Sequence, residues 1–205
     1  MNLLEFSSLT VGYDRKSVLN EVEGEISSGE WVHLWGRNGS GKTSLLQVLA
    51  SFHQPLEGEV LWNGTKVRTN LERYRRNIRY FGHEVALFER LTVRDNWELF
   101  GGLFNIQGTS PRSFTGEISP SSLVQDLSRG QKRRVELASL IASPRDLVIL
   151  DEPFASLDEQ AIDSLRDNLQ GIREDGGIVV TASPESIDGP DRTWQVKNKT
   201  LTKLQ

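Results

Sequence analysis

Three short stretches carry side chains whose types and spacing suit chemistry on a phosphate. The first is "WGRNGSGKTSLL", residues 35–46, in which Gly36, Gly41, Lys42 and Thr43 stand at the spacing G-x-x-x-x-G-K-[ST]. Small residues let the backbone over Gly36, Arg37, Asn38, Gly39, Ser40 and Gly41 curl so that successive N–H groups point inward at an anion. The helix that follows, through Ser44, adds its positive N-terminal end. With a nucleotide there, Lys42 reaches the β- and γ-phosphates and the Thr43 hydroxyl ligates Mg²⁺. The second stretch is "LVILDEP", residues 147–153, with Asp151 and Glu152 at the end of an apolar run. Asp151 is placed to hold Mg²⁺ through water, and Glu152 to polarise a water for attack on the γ-phosphate. The third is "LSRGQKRRVELA", residues 127–138, where Ser128 caps a helix whose N-terminus can face an anion.

These side chains need elements to position them. "WVHLW", residues 31–35, reads as an apolar strand ahead of the loop. Leu45, Leu46, Leu49 and Phe52 form a helical stripe behind it. Residues 3–35 read as strands, and "GEVLWNGTKV" as a hairpin turning at Asn63-Gly64. Residues 68–104 are charged and mixed, with Thr92 the expected cap of a helix. Residues 108–122 are rich in Ser, Pro and Gly and read as a loop with at most one short helix, capped by Ser110 with Pro111 in its first turn. A helix over 128–142, a buried parallel strand over 146–151, a helix over 158–173 and a strand over 177–182 follow. The chain closes as a hairpin around Asn198-Lys199. Strands alternating with helices predict an α/β fold with a mainly parallel sheet.

The 205 residues suit one domain, or one core with a small subdomain. The net charge of −4 gives no global basic footprint for nucleic acid, although "RYRR" at 73–76 and "KRR" at 132–134 are local basic clusters. There are no cysteines, which excludes disulfides and thiolate metal sites. No apolar run approaches the roughly 20 residues that span a bilayer, and the N-terminus lacks a signal-peptide pattern. A cytosolic or peripheral protein is expected.

The three motifs, in this order, resemble the ATP-binding cassette (ABC) family. Leu127, Ser128, Gly130 and Gln131 match its signature LSGGQ, with Arg129 in place of a glycine. The resemblance implies a P-loop NTPase of ABC type: a three-layer α/β core with an N-terminal antiparallel β subdomain and a small helical subdomain. It implies one domain over 1–205, with the core at about 1–82 and 136–205 and the helical part at about 83–135. ATP and Mg²⁺ are the implied cofactors. The implied assembly is a homodimer with two ATP molecules between phosphate loop and signature helix, so that Ser128, Gly130 and Gln131 face the γ-phosphate of the opposite protomer. Tyr13 stands where the family stacks an aromatic on adenine; a strand-end tyrosine also packs locally. Asp158, in "SLD", matches the interface loop. His83 stands where the family places a Mg²⁺-sensing glutamine, and a histidine can still coordinate or hydrogen-bond.

One position departs further. Past the strand at 177–182 the family carries a histidine that holds the attacking water in line, and Ser183 occupies that place. A serine is shorter, carries no charge, and could act through a bridging water. The expected catalytic set is therefore Glu152, Ser183 and His83, with Thr43, Asp151 and His83 on the metal.

"GEW" at 29–31, "GEVLWNG" at 58–64, "GHE" at 82–84 and "LDEPFASLD" at 150–158 are similar to the ATP-binding subunits of bacterial haem exporters in cytochrome c maturation. That implies integral membrane partner subunits and a peripheral position on the cytoplasmic side of the inner membrane. No nucleic acid partner is expected. Two other readings remain: an ABC-type module that binds ATP with weak or no hydrolysis, and the ATPase subunit of another small bacterial ABC transporter.

Overall fold

The computed structural model describes residues 1–14, 16–104, 106 and 115–204. The described chain forms two compact units. The first comprises residues 1–80, 145–153 and 169–205, and the second residues 81–144 and 154–168.

The first unit begins with β1 (Leu3–Tyr13) and β2 (Lys16–Ser27), paired antiparallel. Alternation buries Leu4 and Phe6, then two exposed residues intervene before Leu9 and Val11 are buried. A bulge explains the break: Phe6 pairs with Gly24 but Leu9 with Val22, so β1 carries one extra residue, and Ser8 has φ 46°. The extra residue returns the apolar set to the core face. β4 (Glu57–Trp62) and the short β5 (Thr65–Lys66) complete a four-stranded sheet in the order β2-β1-β4-β5. Their turn is Asn63-Gly64, both at positive φ, as expected.

The second sheet has the order β10 (Thr200–Leu204), β9 (Arg192–Lys197), β3 (Trp31–Trp35), β8 (Ile178–Ser183), β7 (Leu147–Asp151), β6 (Ile78–Phe81). Its centre is β3, β8 and β7, which run parallel. Every residue of β7 and β8 is buried, so both faces are covered and the strands read as unbroken apolar runs. β9 and β10 form the expected hairpin through Asn198 and Lys199. One continuous core joins Leu4, Phe6 and Leu9 to Leu34, Leu45, Leu46, Leu147 and Val180. Each such side chain contributes about 1.5–3 kcal/mol on burial.

Helix α1 (Lys42–Leu49) is shorter than the apolar stripe predicts. Ser51 takes φ 61°, its N–H bonds Val48 O, and Phe52 N–H bonds Gln47 O. That is a left-handed helix stop, with serine where glycine is usual. Phe52 is thereby turned out, 57% exposed, with its ring edge-on to Tyr80. Two elements stand inside the segment read only as charged and mixed: α2 (Leu71–Arg76), capped by Asn70, and β6 (Ile78–Phe81).

In the second unit α3 (Val93–Phe104) starts at Thr92, whose hydroxyl accepts the Asp95 N–H at 3.1 Å. Helix α4 (Arg129–Ala142) starts at Ser128, as expected. Val93, Val124 and Val135 form its small core. Asp158 caps helix α5 (Glu159–Glu174), of which residues 159–168 belong to this unit. The expected short helix at Ser110 and Pro111 lies outside the described residues.

Candidate functional site

β3 ends at Trp35 and delivers the chain into the loop Gly36–Gly41. Gly41 sits at φ 107°, a conformation open to glycine, and turns the chain into α1. Lys42 is 5% exposed and folds back, donating to Gly36 O at 2.6 Å and Arg37 O at 3.1 Å. Burial pulls its pKa down, while the charges of Asp151 and Glu152 push it back up. The Ser40 hydroxyl is buried in the loop and finds no hydrogen-bond partner among the described residues. An orphaned buried hydroxyl in a curled, cation-bearing loop is the lining an anion would satisfy.

Thr43 Oγ donates to Asp151 Oδ2 at 2.6 Å. These oxygens come from α1 and the end of β7, and a small hard cation takes such a hydroxyl and carboxylate together with substrate phosphates. The donor set therefore fits Mg²⁺. Among the described residues there is no group of three or more His, Asp or Glu side chains that could hold a metal ion. Glu152 follows at φ 49°, and its N–H bonds Ala182 O at 2.8 Å. Ser183, on the end of β8, is 9% exposed and donates to Glu185 O. The first unit thus brings the phosphate loop, Asp151, Glu152 and Ser183 onto the C-terminal ends of adjacent strands. Tyr13 belongs to the same unit. Its hydroxyl bonds Gln47 Oε1 at 2.9 Å, its ring lies edge-on to His53, and it is 43% exposed.

The second unit holds the other expected residues. Ser128 and Gln131 form a reciprocal cap: Gln131 N–H donates to Ser128 Oγ at 3.2 Å, and Ser128 N–H to Gln131 Oε1 at 2.9 Å. Gly130 lies so close to Ser156 that an added Cβ would stand 2.3 Å from its carbonyl oxygen. Asp158 accepts Ala161 N–H at 2.8 Å and Arg134 Nη1 at 3.2 Å. Arg129 donates to His83 Nε2 at 3.2 Å, which makes that ring nitrogen the acceptor.

Two features escaped the sequence reading. His33 is fully buried and bonded to both Thr181 and Glu185. A histidine inside "WVHLW" is the signal that was available. The buried pair Arg133–Glu136 at 2.9 Å holds the His83 segment through Gly82 O and Ala86 N–H. Its i,i+3 spacing on α4 is visible in the sequence; its burial is not.

The sequence pattern of the ABC transporter family matches residues 19–155. The cytochrome c biogenesis ATP-binding export protein CcmA of Albidiferax ferrireducens is 34% identical, covering 90% of this chain and 91% of the relative. The protein of that name from Escherichia coli (strain K12) is 33% identical, covering 92% of each. Among solved structures, an ATP-binding subunit of an ABC transporter superposes with a TM-score of 0.87 at 27% identity, covering 99% of this chain and 90% of that one. With the pattern spanning most of the chain and relatives matching nearly end to end, the chain belongs to the ABC transporter family.

Proposed function

We propose that this chain is the ATP-hydrolysing subunit of an ABC transporter complex serving an export step in cytochrome c biogenesis, with haem as the cargo class. The observation that carries the ATPase reading is the Thr43–Asp151 contact at 2.6 Å beside the buried Lys42. It joins the loop that binds phosphate to the strand end that bears Glu152. The export step is carried by likeness to the CcmA proteins.

In this reading Gly36–Ser44 hold the phosphates through backbone N–H groups, and Lys42 neutralises their charge. Thr43 and Asp151 would hold Mg²⁺, which would supply charge neutralisation for the phosphates. Glu152 orients and deprotonates the attacking water, with Ser183 beside it. Ser128, Gly130, Gln131 and Asp158 serve the nucleotide of a second copy, and Tyr13 the adenine. His83 links the metal to membrane subunits. The helical subdomain, about 83–135, faces those subunits on the cytoplasmic side of the inner membrane. No helix among the described residues is long and apolar enough to cross a membrane itself.

A second reading has its own observation: the Ser183 hydroxyl is already engaged by the Glu185 carbonyl. That favours an ATP-binding module with weak hydrolysis. Phosphate release from Mg-ATP separates the two. A working ATPase loses release in Glu152→Gln, with nucleotide binding kept. A module that releases no phosphate until Ser183→His is introduced would establish the second reading. Losing one positioned donor costs on the order of 100-fold in rate.

A further inference from the structure

A polar chain runs beneath the end of β8, and the nucleotide-binding side chains do not account for it. It starts at Trp31, whose indole N–H donates to Thr181 Oγ1 at 3.0 Å. Thr181 Oγ1 lies 3.0 Å from His33 Nδ1. His33 Nε2 lies 3.0 Å from Glu185 O and 3.3 Å from Ser183 Oγ. Ser183 Oγ also accepts the Glu185 N–H at 3.3 Å. Trp31, His33 and Thr181 are all fully buried.

Donor and acceptor chemistry fixes the state of the ring. A carbonyl only accepts, so His33 Nε2 carries the hydrogen. Nδ1 is then an acceptor, and the Thr181 hydroxyl donates to it while accepting from Trp31. In that one neutral tautomer both ring nitrogens, the threonine hydroxyl and the indole N–H are all satisfied. Burial favours the same neutral ring, and the charge of Lys42 adds to it, against the bond to Glu185.

The chain spans a functional anchor. Ala182, between Thr181 and Ser183, is the residue whose carbonyl holds the Glu152 N–H. Glu152 keeps a left-handed φ that a non-glycine residue rarely adopts, so its geometry depends on such a hold. His33 grips the strand on both sides of that point, through the Thr181 side chain and through the Ser183–Glu185 turn.

We infer that His33 is a positioning residue for ATP hydrolysis, bridging Thr181 to the Ser183–Glu185 turn and so fixing the strand end that carries Ser183 and holds Glu152. The inference rests on the ATPase reading above. It separates two histidine substitutions of similar polarity. Glutamine places an N–H near the Nε2 position and still reaches Glu185 O. Asparagine reaches only the Thr181 side.

The test is steady-state hydrolysis by the full chain, with rates taken per titrated nucleotide site, for His33→Gln, His33→Asn, His33→Leu, Ser183→Ala and the double variant His33→Leu/Ser183→Ala. Misplacement of a reacting group by about 1 Å costs up to about 100-fold. The expected result is a kcat lowered about 10- to 100-fold in His33→Leu and His33→Asn, with KM for ATP little changed. His33→Gln recovers most of that kcat. The double variant is no slower than the slower single one, because both act at one strand end. An unchanged kcat in His33→Leu, glutamine as slow as asparagine, or multiplicative losses in the double variant would each overturn the inference. If leucine does not fold, the glutamine–asparagine comparison decides alone. A parent chain that binds a fluorescent ATP analogue but hydrolyses none at any concentration refutes the ATPase reading, and the positioning role falls with it.

Discussion

Lys42 and His33 show how burial sets charge at this site. Burial lowers the pKa of Lys42, and the charges of Asp151 and Glu152 oppose that shift. Burial lowers the pKa of His33 below 6.5, with the charge of Lys42 acting in the same direction and the bond to the Glu185 carbonyl opposing it. Well above 6.5 the ring is neutral in both folded and unfolded chains, so it leaves no slope in stability. As the pH falls through 6.5 the unfolded chain takes up the proton first, so stability declines until the folded chain also protonates. Glu136 runs the other way: burial raises its pKa, Arg133 opposes, and acidification relieves its buried charge. That contribution is common to parent and variant and cancels in their difference. Between about pH 7.5 and 5.5 the parent should therefore lose more melting temperature than His33→Gln does. Equal losses would show that His33 does not titrate differently on folding.

At the scale of elements, the helix starts were legible because a cap is a local signal. Ser128 with Gln131, and Thr92 with Asp95, close their own helix ends within one turn. The parallel strands were legible as unbroken apolar runs, and the hairpin turns at Asn63-Gly64 and Asn198-Lys199 by their residue types. What was not legible depends on contacts distant in sequence. Ser51, which stops α1 in a left-handed conformation, has its hydroxyl and carbonyl oxygens held by the Arg75 guanidinium, 24 residues away. His33 meets Thr181 only because β3 and β8 pair in the register His33–Thr181. Gly130 is a similar case: the motif marks the position, and the reason is its approach to Ser156 O. Alanine is the better helix former there by up to about 1 kcal/mol. The clash should outweigh that gain, since overpacking costs about 1–3 kcal/mol. Gly130→Ala should unfold at lower urea than the parent and release less phosphate. A stabilised Gly130→Ala would show that the 154–158 segment gives way freely.

For the whole molecule, the residues proposed for one reaction divide between the two units. Lys42, Thr43, Asp151 and Glu152 lie in the first, and Ser128, Gly130 and Asp158 in the second. If each nucleotide is served by the loop of one copy and the signature helix of another, two differently broken chains can repair each other. Lys42→Ala lacks a working loop, and Ser128→Arg lacks a working signature helix. Each alone should release almost no phosphate. Mixed one to one, they form some dimers in which the loop of the Ser128→Arg copy meets the signature helix of the Lys42→Ala copy. Half the dimers then carry one intact site of two, so independent sites regain roughly a quarter of the parent rate. Coupling between the two sites lowers that figure without abolishing it. A mixture no faster than its separate components, at concentrations where light scattering shows dimers, would mean that each copy completes its own site. Recovery that rises more than linearly with total protein would place the assembly of the site in the encounter of two copies.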